Sequence, residues 1–252
     1  MDSSEPTDET LASYDPGEYP RFAVTVDIVV FTIVDDDLRV LLIQRGGPPF
    51  LGRWALPGGF VTPDEDLDQA AVRELAEETG IHQKVGLLEQ FGSYGAPERD
   101  PRMRVVTVGY WAIVPDLPSP MAGSDARHAE LVSVSEVESG RMPLAFDHQR
   151  IFADALETAR SGLEDRTIGA LFCGPDFKVS ALRQVYNTVW NTELDAGNFQ
   201  RKVTTADGFL MKSESSPVRS GEKGGRPASL WTTGPAKKLN PPMSRPSKDR
   251  KE

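Results

Sequence analysis

The chain has 252 residues, of which 38% are hydrophobic, 26% charged and 8% aromatic. That composition supports a folded core and excludes a wholly disordered or collagen-like chain. The net charge of −10 is uneven: residues 212–252 hold ten Lys/Arg against four Asp/Glu, and the rest of the chain holds 18 against 34. An acidic body with a basic end suits either presentation of that end to a polyanion or a solubilising tail.

A single cysteine, Cys173, excludes an intramolecular disulfide, and with only three histidines it leaves little for a zinc site. The longest apolar runs, such as Ile28 to Val34, fall short of the roughly 18 residues of a membrane span, so no membrane partner is expected. The first 20 residues carry six acidic and no basic side chains, unlike a secretory signal, and the expected compartment is cytoplasmic.

Residues 1–20 are acidic and punctuated by Pro6, Pro16 and Pro20, and are expected to be disordered. From Arg21 the texture changes. AVTVDIVVFTIV is β-rich, Asp35-Asp36-Asp37 supplies a turn, and LRVLLIQR is apolar again, which together predict a hairpin. RWALPGGFV is a short strand broken by Pro57, Gly58 and Gly59. A helix follows from about Leu67 to Thr79, with Asp66 and Gln69, or Thr62 and Glu65, at capping-box spacing and Gly80 as its C-terminal cap. RVVTVGYWAIV and LVSV near 131 predict further strands. Strands around a central helix imply an α/β sandwich over 21–143.

A second unit is expected over 144–211. AFDHQRIFADALETARSGL places Ile151, Phe152, Ala155, Leu156 and Ala159 on one helical face, with Asp147 as cap. Leu182, Val185, Tyr186, Val189 and Trp190 mark a second helix, and Asn198 to Val203 a shorter third. With a β-prone end at Phe209 to Met211, these elements fit a winged helix-turn-helix. Residues 212–252 read as a disordered basic tail.

The segment GFVTPDEDLDQAAVRELAEETGI carries the chemistry. Glu74, Glu77 and Glu78 share one helix arc, because i, i+3 and i+4 are neighbours, and Ala71, Val72, Leu75 and Ala76 lie opposite. Three clustered carboxylates repel one another unless cations sit among them, and hard Mg²⁺ or Mn²⁺ takes oxygen ligands and bridges to phosphates. Such an ion polarises phosphorus and lowers the pKa of an attacking water. Arg73 is placed to orient the glutamates by charge-assisted hydrogen bonds. Gly58 and Gly59 allow a tight backbone turn beside them.

The same segment satisfies G-x5-E-x7-R-E-U-x-E-E-x-G-U, with U aliphatic, at Gly59, Glu65, Arg73, Glu74, Leu75, Glu77, Glu78, Gly80 and Ile81. It resembles the box of the Nudix hydrolase family. The resemblance implies a Nudix α/β/α sandwich, a magnesium- or manganese-dependent attack on a pyrophosphate bond, and a substrate at Gly59. Family members acting on ADP-ribose carry a proline about 16 residues past the box, where this chain has Pro97. Arg99 and Arg102 are apt to hold a diphosphate or terminal ribose, and Arg45 is a further candidate. Phe50, Phe91 and Tyr94 are candidates for stacking on adenine. The family's general base varies, and a later loop offers Asp125 or Glu130, with His128 expected at the surface.

The C-terminal stretch is similar to a narrower group, the Nudix-related transcriptional regulators. These join an ADP-ribose-sensing Nudix domain to a winged helix and control genes of NAD metabolism. The matches are Ala145 to His148, the Leu182 to Tyr186 helix, Leu194-Asp195, Asn198-Phe199 and Arg201-Lys202. They imply a homodimer on operator DNA, contacted by Arg183, Asn198, Arg201 and Lys202. Lys178 stands where that group usually has a Thr or Ser cap, and Gly197 and Gln200 where it usually has more arginine. Two activities follow, which can coexist: hydrolysis of ADP-ribose or a related nucleoside diphosphate, and ligand-responsive DNA binding; the alternative is a regulator of NAD-metabolism genes that senses ADP-ribose without hydrolysing it.

Overall fold

A computed structural model of the chain describes residues 15–79, 86–115, 117, 126–215 and 229–246. Its centre is a seven-stranded mixed sheet. The long strand β1 (Ala23–Val34) pairs antiparallel with β2 (Asp37–Arg45) at one end, and parallel with β6 (Val105–Ile113) along its length. β3 (Trp54–Ala55) and β7 (Ala126–Ser133) pair with β2, β5 (Leu87–Tyr94) pairs with β6, and β4 (Gly58–Phe60) pairs with the first half of β1. The β1–β2 hairpin closes at Val34 and Asp37 with Asp35 and Asp36 at φ 52° and 59°. Two successive left-handed residues give the turn whose twist matches the strands, and Asp tolerates that region better than most residues.

Helix α1 (Leu67–Thr79) covers one face of the sheet. Ala70, Ala71 and Leu75 pack there on Val26, Ile28, Leu41 and Tyr110. Its start is doubly fixed: the Asp66 amide donates to Gln69 Oε1 (2.9 Å) and the Gln69 amide to Asp66 Oδ1 (2.8 Å). One turn earlier, the Thr62 amide donates to Glu65 Oε1 (2.8 Å). Both spacings noted in the sequence therefore make contacts. Gly80 lies outside the described residues.

The other face is covered by α3 (His148–Asp165), which follows the short helix α2 (Val134–Glu138). Ile151, Phe152, Ala155, Leu156 and Ala159 are buried against Val29, Phe31, Trp111 and Ile113. Layer by layer this is α/β/α. At residue 144, where a second unit is expected to begin, packing is continuous: α3 shares one apolar cluster with the sheet and with buried residues as far as Met243. One expectation is corrected. Asp147 does not cap α3 with its side chain; its carboxylate is taken by Arg99.

Beyond α3, a 3₁₀ turn (Thr167–Phe172) leads to α4 (Val179–Trp190), a turn, and α5 (Ala196–Thr205). Phe199 packs on Tyr186 at 5.2 Å between ring centroids, and Tyr186 packs edge-on to Trp190. Asn191 at φ 50° ends α4, and the Asp195 carboxylate accepts the Asn198 amide to begin α5. Strands β8 (Leu210–Lys212) and β9 (Trp231–Thr233) form an antiparallel ribbon, and β9 also bridges Phe177 ahead of α4.

Residues 229–246 are not tail. After β9 the chain runs back over α3, where the Leu239 amide donates to Asp165 O (2.7 Å) and the Met243 amide to Glu164 O (2.6 Å). Leu239 and Met243 are buried, and Arg245 pairs with Glu157 (2.7 Å). The strap satisfies carbonyls at the end of α3 that no helical amide reaches. At the other terminus Pro16–Glu18 form one 3₁₀ turn, and the expectation of disorder for 1–14 lies outside the described residues.

Candidate active site

The carboxylate helix is organised by one arginine. The Arg73 guanidinium forks onto Glu65 (2.8 and 2.6 Å), bonds Glu74 Oε1 (2.7 Å) and Glu77 Oε2 (3.0 Å), and donates to Phe60 O (3.0 Å). Its planar set of five donors suits simultaneous contacts that an ammonium would not make. Arg73 holds the Glu65 carboxyl at about 2, far below its ordinary range, and the Thr62 amide contributes in the same direction. Glu74 is buried, and desolvation pushes its pKa up while Arg73 opposes the shift. Glu77 is half exposed. Glu78 continues the helix, with a side chain outside the described residues.

Gly59 lies directly over this cluster. A Cβ there would sit 2.3 Å from Glu74 Oε1, and one on Gly58 would sit 2.1 Å from Val26 O. No other residue type fits either place without displacing backbone or carboxylate. Among the described residues no group of three or more His, Cys, Asp or Glu forms a preassembled metal cluster. The donor set nonetheless fits a hard divalent cation: Glu74 and Glu77 offer carboxylate oxygens one turn apart, with the Glu74 carboxylate packed against the bare Gly59 backbone.

On the α3 side of the sheet, across Gly58 and Gly59, opens a cleft of about 600 Å³. Its walls include Thr25 and Asp27 of β1, Arg45 at the end of β2, Phe60, Arg99 and Arg102, with Phe146 and His148 from the start of α3. The alternation of β1 accounts for the placement: Val26 and Ile28 point to α1, while Thr25 and Asp27 point to the opposite side. The glutamates and the cleft thus meet across a strand that has no side chains at the crossing.

The expected substrate residues fare unequally. Gly59, Arg45, Arg99 and Arg102 line the cleft, whereas Pro97 is exposed and does not. Arg45 donates to Pro49 O (2.8 Å) and stands 4.8 Å over the Phe146 ring. Arg102 forks onto Asp100 (3.0 and 2.7 Å), half exposed, over Phe60. Arg99 is not a free anion ligand. Its side chain is 4% exposed and is gripped by Asp27 (3.0 Å) and by both oxygens of Asp147 (3.0 and 2.8 Å).

Of the expected stacking aromatics, none lines the cleft; Tyr94 donates to Asp154 (2.9 Å) and Phe50 packs on Phe146. The rings at the cleft are Phe60 and Phe146 instead. His148 accepts the Leu56 amide at Nδ1 (2.9 Å) and points Nε2 at Asp27 (3.5 Å). Burial lowers its pKa, so the ring is held neutral. Of the two candidate bases, Glu130 is exposed on β7 opposite Leu42, outside the cleft lining, and Asp125 lies outside the described residues. His128 is exposed, as expected.

In the helical unit, Arg183 donates to Leu194 O (2.8 Å) and closes the turn between α4 and α5. Lys202 donates to Pro242 O (2.6 Å) on the strap. Asn198 and Arg201 are exposed on α5 and bond each other (2.9 Å). Lys178 precedes α4 without a side-chain cap bond.

The Nudix domain model matches residues 23–155, from the start of β1 into the first half of α3. The chain belongs to the Nudix family. It is similar to the ADPR responsive transcriptional repressor NtrR of Acinetobacter baylyi, with 31% identity over 88% of this chain and 86% of that one. It is 40% identical to an ADP-ribose pyrophosphatase of Methanocaldococcus jannaschii over 54% of this chain and 74% of the relative. Among solved structures, NrtR of Shewanella oneidensis complexed with a 27mer DNA is 31% identical, covering 88% of this chain and 99% of that one at a TM-score of 0.72. No described helix is long and apolar enough to cross a membrane.

Proposed function

We propose that this Nudix protein binds and hydrolyses ADP-ribose or a related nucleoside diphosphate with Mg²⁺ or Mn²⁺, and that its C-terminal unit is a winged helix that binds DNA. The observation that carries the first part is the Arg73 array, which gathers Glu65, Glu74 and Glu77, with Glu74 against the bare Gly59 backbone. Glu74, Glu77 and Glu78 would hold the cation. When bound, it neutralises the diphosphate and supplies an activated water. Arg73 keeps the carboxylates aligned, and Arg45 and Arg102 place positive charge at the cleft. In purified full-length protein, Glu77→Gln should abolish AMP release from ADP-ribose with Mg²⁺ while leaving the melting curve cooperative. Full activity in that variant would refute the assignment.

A second reading, ligand-responsive regulation without turnover, is favoured by the similarity to NtrR over most of the chain. In both readings α5 is the helix offered to DNA, through Asn198 and Arg201, with β8 and β9 as the wing and two copies of the chain on two half-sites. α3 would couple the sites, because Phe146 and His148 at its start wall the cleft and its end carries the strap that holds Lys202. A gel shift on the gene's own upstream DNA, with and without ADP-ribose, separates the readings when run beside the AMP assay. Ligand must bind the DNA-free form better for release to occur.

A further inference from the structure

The geometry points to a sugar-recognising ledge, Thr25 and Asp27 of β1, that selects a nucleoside diphosphate carrying a neutral polyhydroxyl group over one ending in phosphate. This rests on the nucleoside diphosphate reading above and adds which part of the ligand the inner cleft takes.

Three observations converge. Thr25 Oγ1 is buried, has no hydrogen-bond partner, and belongs to a residue lining the cleft. An unpaired buried hydroxyl is costly unless a partner arrives, and the cleft that Thr25 lines is where one can. Secondly, charge is lopsided at the inner end. The Arg99 guanidinium faces two carboxylates, Asp27 and Asp147, and the adjoining His148 ring is neutral. A terminal phosphate there meets excess negative charge, whereas sugar hydroxyls meet carboxylate lone pairs. Thirdly, register puts the ledge beside the carboxylate crossing: Thr25 is opposite Phe60, Val26 opposite Gly59 and Asp27 opposite Gly58. The ledge is one strand spacing, about 4.8 Å, from Gly58 and Gly59, the second of which lies against Glu74. A group joined directly to a diphosphate at Gly59 reaches it.

Thr25→Val tests the ledge, because it keeps the shape and removes only the hydroxyl; Asp27 is unsuitable since it also holds Arg99. Full-length protein is titrated calorimetrically with ADP-ribose and with ADP, using Ca²⁺ as the carboxylate-bound cation. Wild type should bind ADP-ribose at least tenfold more tightly than ADP. The variant should lose roughly three- to tenfold in affinity for ADP-ribose and nothing for ADP. Its melting temperature should hold or rise, since an unsatisfied hydroxyl is gone, and a merely structural role would not lower affinity while preserving stability. Equal losses for both nucleotides, or no loss for either, overturn the ledge and leave the nucleotide reading standing. Failure of wild type to bind either nucleotide overturns both.

Discussion

His148 makes the junction of α3 with the cleft sensitive to mild acid. Its ring is 4% exposed, its Nδ1 already accepts the Leu56 amide, and the protonated form would require that acceptor to become a donor facing a donor. Burial is the largest cause of its lowered pKa; the Asp27 and Asp147 charges pull the other way, and Arg99 and Arg45 reinforce burial. The sign follows from linkage. The unfolded imidazole titrates near 6.5 and the folded one lower, so its contribution is fully present above about 6.5 and is lost as pH falls toward the folded value.

Because the folded imidazole takes up its proton at lower pH than the unfolded one, stability falls as pH drops from 7.5 to 5.5, by no more than about 1.4 kcal/mol. Carboxylates held down by arginines, such as Asp100 beside Arg102, lose their contributions only at more acidic pH. Urea unfolding at half-unit steps across that window measures the slope. His148→Gln should flatten it, whatever the variant's absolute stability. A flat wild-type profile, or an undiminished slope in the variant, would refute the argument.

Gly59→Ala should cost at least tenfold in AMP release, because its Cβ would lie 2.3 Å from Glu74 Oε1; unchanged kcat/KM would show that the carboxylate is free to move. Arg201→Ala should reduce the salt slope of DNA binding by about one unit, whereas Lys202→Ala, already bonded to Pro242 O, should change it far less. Equal slopes for the two variants would contradict that distinction. Leu239→Ala should lower unfolding free energy by about 2–5 kcal/mol, as expected for a buried leucine and not for a mobile tail. Chemical denaturation reads that difference directly.

What could be read from the sequence follows from how local each signal is. The Asp-rich hairpin, the helix Leu67–Thr79 with its capping residues, and the apolar stripe from Leu182 to Trp190 all depend on neighbours within one or two elements. The glutamate arc is equally local, since helical spacing alone puts Glu74 and Glu77 within reach of Arg73. The cleft was not legible in that way. Its walls come from β1, β2, β4, the 99–102 loop and the start of α3, and nothing in the spacing brings these together.

One residue did carry a signal of its own. Asp27 interrupts the apolar run TVDIVV, and a carboxylate in the middle of a buried strand demands a partner. That partner is Arg99, whose guanidinium and place after Pro97 suggested a ligand for a diphosphate or terminal ribose; buried between two carboxylates, it braces the cleft. Asp147 went astray for the same reason. Its position before α3 suits a cap, but a bidentate bond to a buried guanidinium outweighs one to a helix amide. The strap was missed because Pro, Gly, Ser and Lys dominate 212–252, while among the described residues its apolar anchors are Trp231, Leu239 and Met243. Apart from the Arg245–Glu157 pair, its hydrogen bonds to the end of α3 are made by backbone, which leaves no imprint on composition. Braces of this kind, Arg99 on Asp147 before α3 and the strap at its end, hold α3 at both ends between the cleft and α5. They are also the residues at which a coupling between ligand and DNA would have to be broken.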